Sequence, residues 1–380
     1  MNTTSERQLS HAGQRRLRRA DDGRRPGLGR RPHPGSDQCG WPGREQPADA
    51  RDGAAVSRMP AASAPAARPC GSIDRIAGGR PLPPHLRGAV IALGNFDGFH
   101  LGHQAVIGRA VQMARERGVA AIVGTFDPHP VRYFGRGLPP FRLTSLDQRQ
   151  RLFAMAGVDA MVVFEFDDAL AAATPEEFVQ HWLAGAGGVV TGEDFNFGRR
   201  RAGNVSMLAE LGRRQGLACD ALAPVPLGDE VVSSTRIRAA LKAGDCAAAT
   251  RLLTRPFAIE CSILPGDGTT QAIGLRAALI DLGAYLRPRR GLYAVRGRLP
   301  DGRVLGGVLH LGACSGLSQG GPPDFLRLFD LESDLCGQRV EVEFLAHVGE
   351  AMELDGIGAL RARIGRDGVE ARQALRSAPP

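Results

Sequence analysis

Apolar residues Ala89 to Leu93 form a short continuous run suited to a buried strand. Gly94, Asn95, Asp97 and Gly98 then mark a turn, and from about Leu101 the period changes. Ile107, Ala110, Val111 and Ala114 recur at helical spacing, and Gly118 closes that helix. A second apolar run, Val119–Phe126, follows the first by the length of a βαβ crossover, so the two strands are expected to be parallel. Leu143–Gly157 reads as a helix and Val158–Phe164 as a third strand. Thr174-Pro175-Glu176-Glu177 is a capping box with proline at the first helical position, opening a helix to about Leu183. Val189-Val190 begins a short strand, and Ser233 opens a helix that ends at Gly244. Further on, Val340–Leu345 alternates like a strand and Gly358–Leu375 has helical periodicity.

A strand that feeds through a glycine-bearing turn into a helix N-terminus presents free N–H groups and the positive end of the helix dipole. His100 and His103 stand at that helix start, three residues apart and on one face. Both can donate hydrogen bonds to phosphate oxygens while a P–O bond changes partners. A metal site with Asp97, or plain packing, are the competing readings. The turn lacks the GxGxxG of dinucleotide-binding folds. Two later stretches have matching chemistry. Ser233-Ser234-Thr235-Arg236-Ile237-Arg238 puts hydroxyls and guanidinium groups at another helix start. Gly192-Glu193-Asp194-Phe195-Asn196-Phe197-Gly198 alternates polar and aromatic residues between glycines, which suits a loop that stacks on a planar ligand.

Composition narrows the setting. The chain has 380 residues, enough for two domains, and its 43% hydrophobic content is ordinary for a soluble protein. No apolar run approaches a membrane span, and the first residues have no apolar signal segment, so a cytoplasmic location is expected. Seven cysteines without CxxC pairs suit a reducing compartment better than a disulfide framework or a zinc site. The net charge of +8 could suggest nucleic acid, but most of the excess lies in the first seventy residues. Residues 1–70 are rich in Arg, Pro and Gly and are expected to be disordered. A basic arm is one account of them. An overlong start, with Met59 as the true beginning, is the preferred one.

GNFDGFHLGH (residues 94–103) resembles the signature of the prokaryotic FAD synthetases, whose nucleotidyltransferase superfamily is marked by HxGH, here His100-Leu101-Gly102-His103. Thr125-Phe126-Asp127-Pro128-His129-Pro130, the aromatic loop at 192–198 and the serine-rich helix start resemble three further motifs of that family, in the same order. Leu253-Thr254-Arg255-Pro256-Phe257 resembles its domain-closing LGRPF, with Thr254 in place of glycine. The resemblance implies an α/β fold: a Rossmann-like nucleotidyltransferase domain with a parallel sheet over 71–257, then a smaller riboflavin-kinase-like β-barrel over 258–380. It implies adenylyl transfer from Mg-ATP to FMN, giving FAD and pyrophosphate. His100, His103, Asn95 and Arg236 would be catalytic. Gly94, Phe96, Gly98, Gly102, Ser233, Ser234, Thr235 and Arg238 would bind nucleotide, and Phe126, Asp127, Asp194 and Phe197 the flavin. No resident metal, nucleic-acid partner or membrane partner is expected. A degraded paralogue that binds flavin or nucleotide as a regulator, a nucleotidyltransferase with another acceptor, and a bifunctional enzyme are the alternatives.

In bifunctional members of that family the barrel is a riboflavin kinase. Gly291–Val295, Leu305–Leu311 and Leu326–Leu335 resemble its outline, but its chemistry does not match. The family's GxPTAN turn aligns with Gly274-Leu275-Arg276-Ala277-Ala278-Leu279, where Ala277 and Leu279 have no side-chain oxygen for Mg-ATP. Its NIGxRPT stretch degrades to His310–Gly316, and its catalytic glutamate falls on Phe325, with Asp324 adjacent. Phenylalanine cannot serve as a general base. Loss of kinase activity is expected.

Overall fold

A computed structural model describes residues 73–135, 137–265, 277–312, 324–331, 335–351 and 368–377. The 1–70 extension, Gly274 to Arg276, Ala313 to Gly316 and residues 358–367 of the expected terminal helix lie outside the described residues. Residues 368–377 are helical.

The chain opens with β1 (Asp74–Ala77), β2 (Val90–Leu93) and α1 (Leu101–Arg117), then β3 (Ala121–Asp127). All four residues of β2 are buried, as a central parallel strand requires. Next come α2 (Pro130–Phe134), α3 (Leu146–Met155), β4 (Ala160–Glu165), α4 (Asp168–Ala172) and α5 (Pro175–Glu177), the last continuing as a π-helical turn over Phe178–Trp182. β5 (Gly188–Gly192) leads to a two-residue ladder, β6 (Asn196–Phe197) with β7 (Gly203–Asn204). After α6 (Val205–Gln215) and β8 (Ala218–Leu222), a small hairpin of β9 (Pro226–Leu227) and β10 (Glu230–Val231) precedes α7 (Ser234–Ala243) and α8 (Cys246–Leu253).

Six of these strands form one parallel sheet in the order β1-β4-β3-β2-β5-β8. The chain winds from β2 towards β3 and β4 on one side, then returns through β5 and β8 on the other. The crevice between the carboxyl ends of β2 and β5 is therefore the topological switch point, where open α/β sheets bind ligands. Apolar cores lie on both faces. Ile107, Ala110, Val111 and Ala114 of α1 pack on one, and Phe164, Phe178 and Phe197 belong to the other.

The second part is a closed antiparallel barrel. Its strands are β11 (Phe257–Ile263), β12 (Ala278–Asp281), β13 (Gly291–Arg298), β14 (Val304–Leu311), β15 (Asp324–Leu328) and β16 (Arg339–Glu350), in the spatial order β11-β12-β15-β14-β13-β16. Closure comes from β16, which pairs with both β11 and β13 and runs well past the expected Val340–Leu345. The barrel core does not stop at the junction. Ile237, Leu241, Leu252 and Leu253 of α7 and α8 share one apolar cluster with Ile259, Tyr293, Val295 and Phe344 of the barrel. Among the described residues, no helix is long and apolar enough to cross a membrane.

Candidate active site

The turn after β2 carries an unusual backbone. Phe96, Gly98 and Phe99 all have positive φ, at 50°, 91° and 45°. A Cβ on Gly98 would meet Leu143 Cδ1 at 2.9 Å as well. Asp97 fixes this turn from within. Its buried carboxylate accepts from the amides of Leu143 (2.9 and 3.1 Å) and Thr144 (2.9 Å), from the Thr144 hydroxyl (3.2 Å) and from Arg238 Nη2 (2.7 Å). Those bonds correct the expected helix start at Leu143. The amides of residues 143 and 144 are committed to Asp97, and a Ser145–Gln148 capping box begins α3 instead.

His100 is the N-cap of α1, and its Nδ1 accepts the His103 amide at 3.4 Å. A neutral ring with Nδ1 accepting carries its proton on Nε2. The two imidazoles stack, with centroids 3.6 Å apart and planes 19° from parallel. Gly102 is needed beneath them, since a Cβ there would lie 3.3 Å from His100 Nδ1 and Cε1. Phe96 closes the back of the pair, edge-on to His103 at 5.3 Å. Burial pushes His100 down to about 4, and the charges of Arg238 and Arg255 push the same way against Asp97. Burial, helped by His100, Arg149, Arg238 and Arg255, holds His103 well below the usual histidine range. The pair is thus uncharged at neutral pH, chiefly through burial.

The second helix start is tied to the first. Ser233 caps α7 by accepting the Arg236 amide, while Ser234 Oγ donates to the Asp97 carbonyl at 2.8 Å. Arg238, one turn after Ser234, reaches the Asp97 carboxylate and the Phe141 carbonyl. Arg236 points away: it bonds the Glu230 and Val231 carbonyls and pairs with the Glu230 carboxylate at 3.0 Å.

A cavity of about 900 Å³ opens at the switch point. Gly94, Asn95, Phe96, His100, Gly102, His103, Phe126, Asp194, Phe197, Ser233, Ser234 and Arg238 all line it. Four expected site residues do not, each for a stated reason. Gly98 spends its amide on Thr144 and its carbonyl on Arg255. Asp127 is drawn to Arg142 and Arg149, at 3.3 and 3.9 Å. Thr235 is exposed on α7, and Arg236 is held by β10. Asn95 lines the cavity with its Oδ1 buried and without a partner, while its carbonyl accepts from Thr125 and Arg149. Phe126 and Phe197 are mostly core, packed on Phe164 and Phe178. The freer aromatic faces belong to Phe134, Phe166 and Phe195, which also line the cavity.

Two residues were not singled out from the sequence. His129 lines the cavity, caps α2 through Nδ1 and is pushed by burial to about 4. Arg149 lies buried in α3, within hydrogen-bond reach of Thr125 Oγ1 and the Asn95 carbonyl. His129 sits inside the quoted TFDPHP. Arg149 lies in a helix whose pattern spoke only of packing.

Fold and site together define a two-domain nucleotidyltransferase architecture. The FAD synthetase family model matches residues 82–236, and the riboflavin kinase model matches 253–375. The bifunctional riboflavin kinase/FMN adenylyltransferase of Bacillus subtilis is 32% identical over 291 residues, covering 74% of this chain and 91% of that protein. Its counterpart in Pseudomonas fluorescens is 34% identical, covering 77% of this chain and 94% of its own. The chain belongs to the family of bifunctional riboflavin kinase/FMN adenylyltransferases. The crystal structure of a macrolide-efflux protein from Streptococcus pneumoniae has the same fold, with a TM-score of 0.68 at 24% identity over 79% of this chain and 99% of that one.

Proposed function

We propose that this protein is an FMN adenylyltransferase whose riboflavin kinase half has lost its activity. The stacked pair of buried His100 and half-buried His103 carries the reading, because it faces the same cavity as Ser233, Ser234 and the aromatic loop. A phosphate oxygen of FMN attacks the α-phosphorus of ATP in line. That P–O bond forms as the bond to the bridging oxygen breaks, and pyrophosphate leaves. The attacking phosphate is already an anion, so no base is required. Catalysis is positioning and charge stabilisation.

The neutral histidines donate N–H groups to the transferring phosphoryl oxygens. The Ser233 hydroxyl, whose oxygen accepts the Arg236 amide and whose proton is free, and the guanidinium of Arg238 hold the nucleotide phosphates, while Ser234 ties the Asp97 turn beside them. His129 is a further donor at the cavity wall. Phe126, Phe197 and Asp194 flank the flavin, with Phe166 and Phe195 supplying ring faces. Mg²⁺ enters with ATP as part of the substrate. Asp97 has no free carboxylate oxygen for it, whereas Asn95 Oδ1 remains available as an acceptor. We assign 71–257 to this chemistry and 258–380 to the barrel, in a cytoplasmic enzyme.

Three observations support the loss of kinase chemistry. Phe325 is buried in β15, where the family places its glutamate. Asp324 is buried and held by Arg287 and the Gly312 amide, a pairing that favours its ionised form and weakens it as a base. Ala277 has no side-chain oxygen to offer. A separate riboflavin-phosphorylating reaction must then supply the FMN.

The full chain should be incubated with Mg-ATP and either FMN or riboflavin, and the flavins separated by chromatography. FAD from FMN, with neither FMN nor ADP from riboflavin, is the expected result. No product from either substrate would leave a flavin- or nucleotide-binding paralogue, and FMN formed from riboflavin would restore the bifunctional reading.

A further inference from the structure

The turn that presents His100 does not rest in a relaxed backbone. Two phenylalanines and a glycine at positive φ within four residues persist only where the surroundings over-determine them. Asp97 and Thr144 hold its first half. The second half is held by Arg255, at the end of the α/β domain, and by the barrel strand that follows it.

Arg255 stands between α8 and β11, at the entry to the barrel. Its Nη2 donates to the Gly98 carbonyl at 2.9 Å, and its Nη1 to the carbonyls of Phe99 (3.3 Å) and Leu253 (3.1 Å). The guanidinium carbon lies 6.0 Å from the Phe99 ring centroid. Gln104 Nε2 grips the same place, donating to the carbonyls of Phe99 and Leu253 and to Thr254 Oγ1. Two residues on, Phe257 is buried against Phe344 of β16 and pairs with it in register, which anchors the arginine in the barrel wall.

We propose that Arg255 is a positioning residue for adenylyl transfer: its planar fork holds the Gly98 and Phe99 carbonyls so that His100 faces the reacting phosphate, and holding that fork is what the barrel contributes to the reaction. This rests on the adenylyltransferase reading. A forked donor fits two successive carbonyls in a way an ammonium does not. The role is also electrostatic. Asp97, Arg238 and Arg255 face His100, and Arg149, Arg238 and Arg255 face His103 from α3, α7 and the junction. Removing the Arg255 charge takes away one influence that keeps the pair neutral.

The test uses the full chain with Arg255→Lys and Arg255→Gln. Three readings are needed: FAD formation from FMN and Mg-ATP, its pH profile, and hydrogen exchange of the amides at 98–103 without substrate. Arg255→Gln is expected to lower kcat on the order of 10²-fold, with the KM for Mg-ATP changed only a few-fold. The acid limb of its kcat/KM profile should move to higher pH. Arg255→Lys keeps the charge, so its acid limb should stay in place while kcat still falls. In both variants exchange at 98–103 should quicken, and that of β13 and β16 should not. Wild-type exchange at 98–103 in both variants would overturn the proposal. So would a kcat loss that merely tracks a lower melting temperature and is fully restored by lysine. If Arg255→Gln does not fold, Arg255→Lys and Gln104→Met carry the same readings. If the unaltered protein makes no FAD, the functional reading fails on its own, and the exchange data still decide whether Arg255 holds the turn.

Discussion

The imidazole of His100 accepts the His103 amide at Nδ1, so protonation would cost α1 its cap as well as bring charge into a buried site. That sets a pH dependence with a definite sign. His100 titrates near 4 in the folded chain and near 6.5 when unfolded, so between these values the unfolded chain carries the extra proton. Stability conferred above pH 6.5 is lost as the pH falls and is gone below about 4, a loss on the order of 3 kcal/mol. His100→Asn retains an oxygen to accept the His103 amide but takes up no proton. Urea unfolding from pH 8 to 4 should show a shallower acid decline in this variant, while FAD formation drops. An unchanged decline would mean that His100 is not the group responsible. Much of this residue-level chemistry was legible, because HxGH names both histidines and their spacing puts them on one face. The structure holds Arg236 on β10 and brings Arg238 to Asp97 and the cavity, and the spacing carries a signal for that placement. Residues two apart on a helix face different ways, whereas Ser234 and Arg238 at i and i+4 share a face, and both reach Asp97.

Among the elements, those with strong local signals were read from the chain: the apolar β2, the Thr174 capping box and the Ser233 cap of α7 each have a residue pattern that needs no tertiary partner. β8 was missed because Ala218–Leu222 is half-buried at a sheet edge and mixes Cys and Asp among apolar residues. The end of α8 is a place where the sequence departs from its family, and the structure shows the consequence. Thr254 sits at φ 63°, the left-handed position that LGRPF fills with glycine. A β-branched residue there costs about 1–2 kcal/mol, partly offset by the greater freedom glycine has when unfolded. The Thr254 hydroxyl returns a little through its exposed bond to Gln104. Thr254→Gly should therefore stabilise the protein by about 0.5–1 kcal/mol in denaturant unfolding. A loss of stability would show that the Gln104 bond outweighs the strain.

At the scale of the whole molecule, the boundary placed at 257 from sequence motifs runs through a shared core. Ile237 and Leu241 of α7 and Leu252 and Leu253 of α8 are almost fully buried, and the barrel strands supply much of what buries them. Polar ties cross the same junction. Gln148 donates to the Ala258 carbonyl and accepts from the Tyr285 hydroxyl, Ser145 bonds Glu260, and Arg151 bridges Glu260 and Glu341. None of these polar ties could be read from the chain, since each partner lies more than a hundred residues away. Exposing four such aliphatic side chains costs roughly 6–12 kcal/mol at about 1.5–3 kcal/mol each. That is comparable to the whole stability of a typical domain, roughly 5–15 kcal/mol. A chain ending at 257 should therefore lose α7 and α8, and with them Ser233, Ser234 and Arg238. It should aggregate or fail to make FAD. A change at a half-exposed barrel side chain should behave differently. Arg287→Gln removes only the half-exposed partner of Asp324, a side chain that is not part of the shared apolar cluster, and should leave FAD formation unchanged. A truncated chain that stays soluble and makes FAD at the full-length rate would show that the barrel is dispensable, and the shared core would then be packing without consequence for the chemistry.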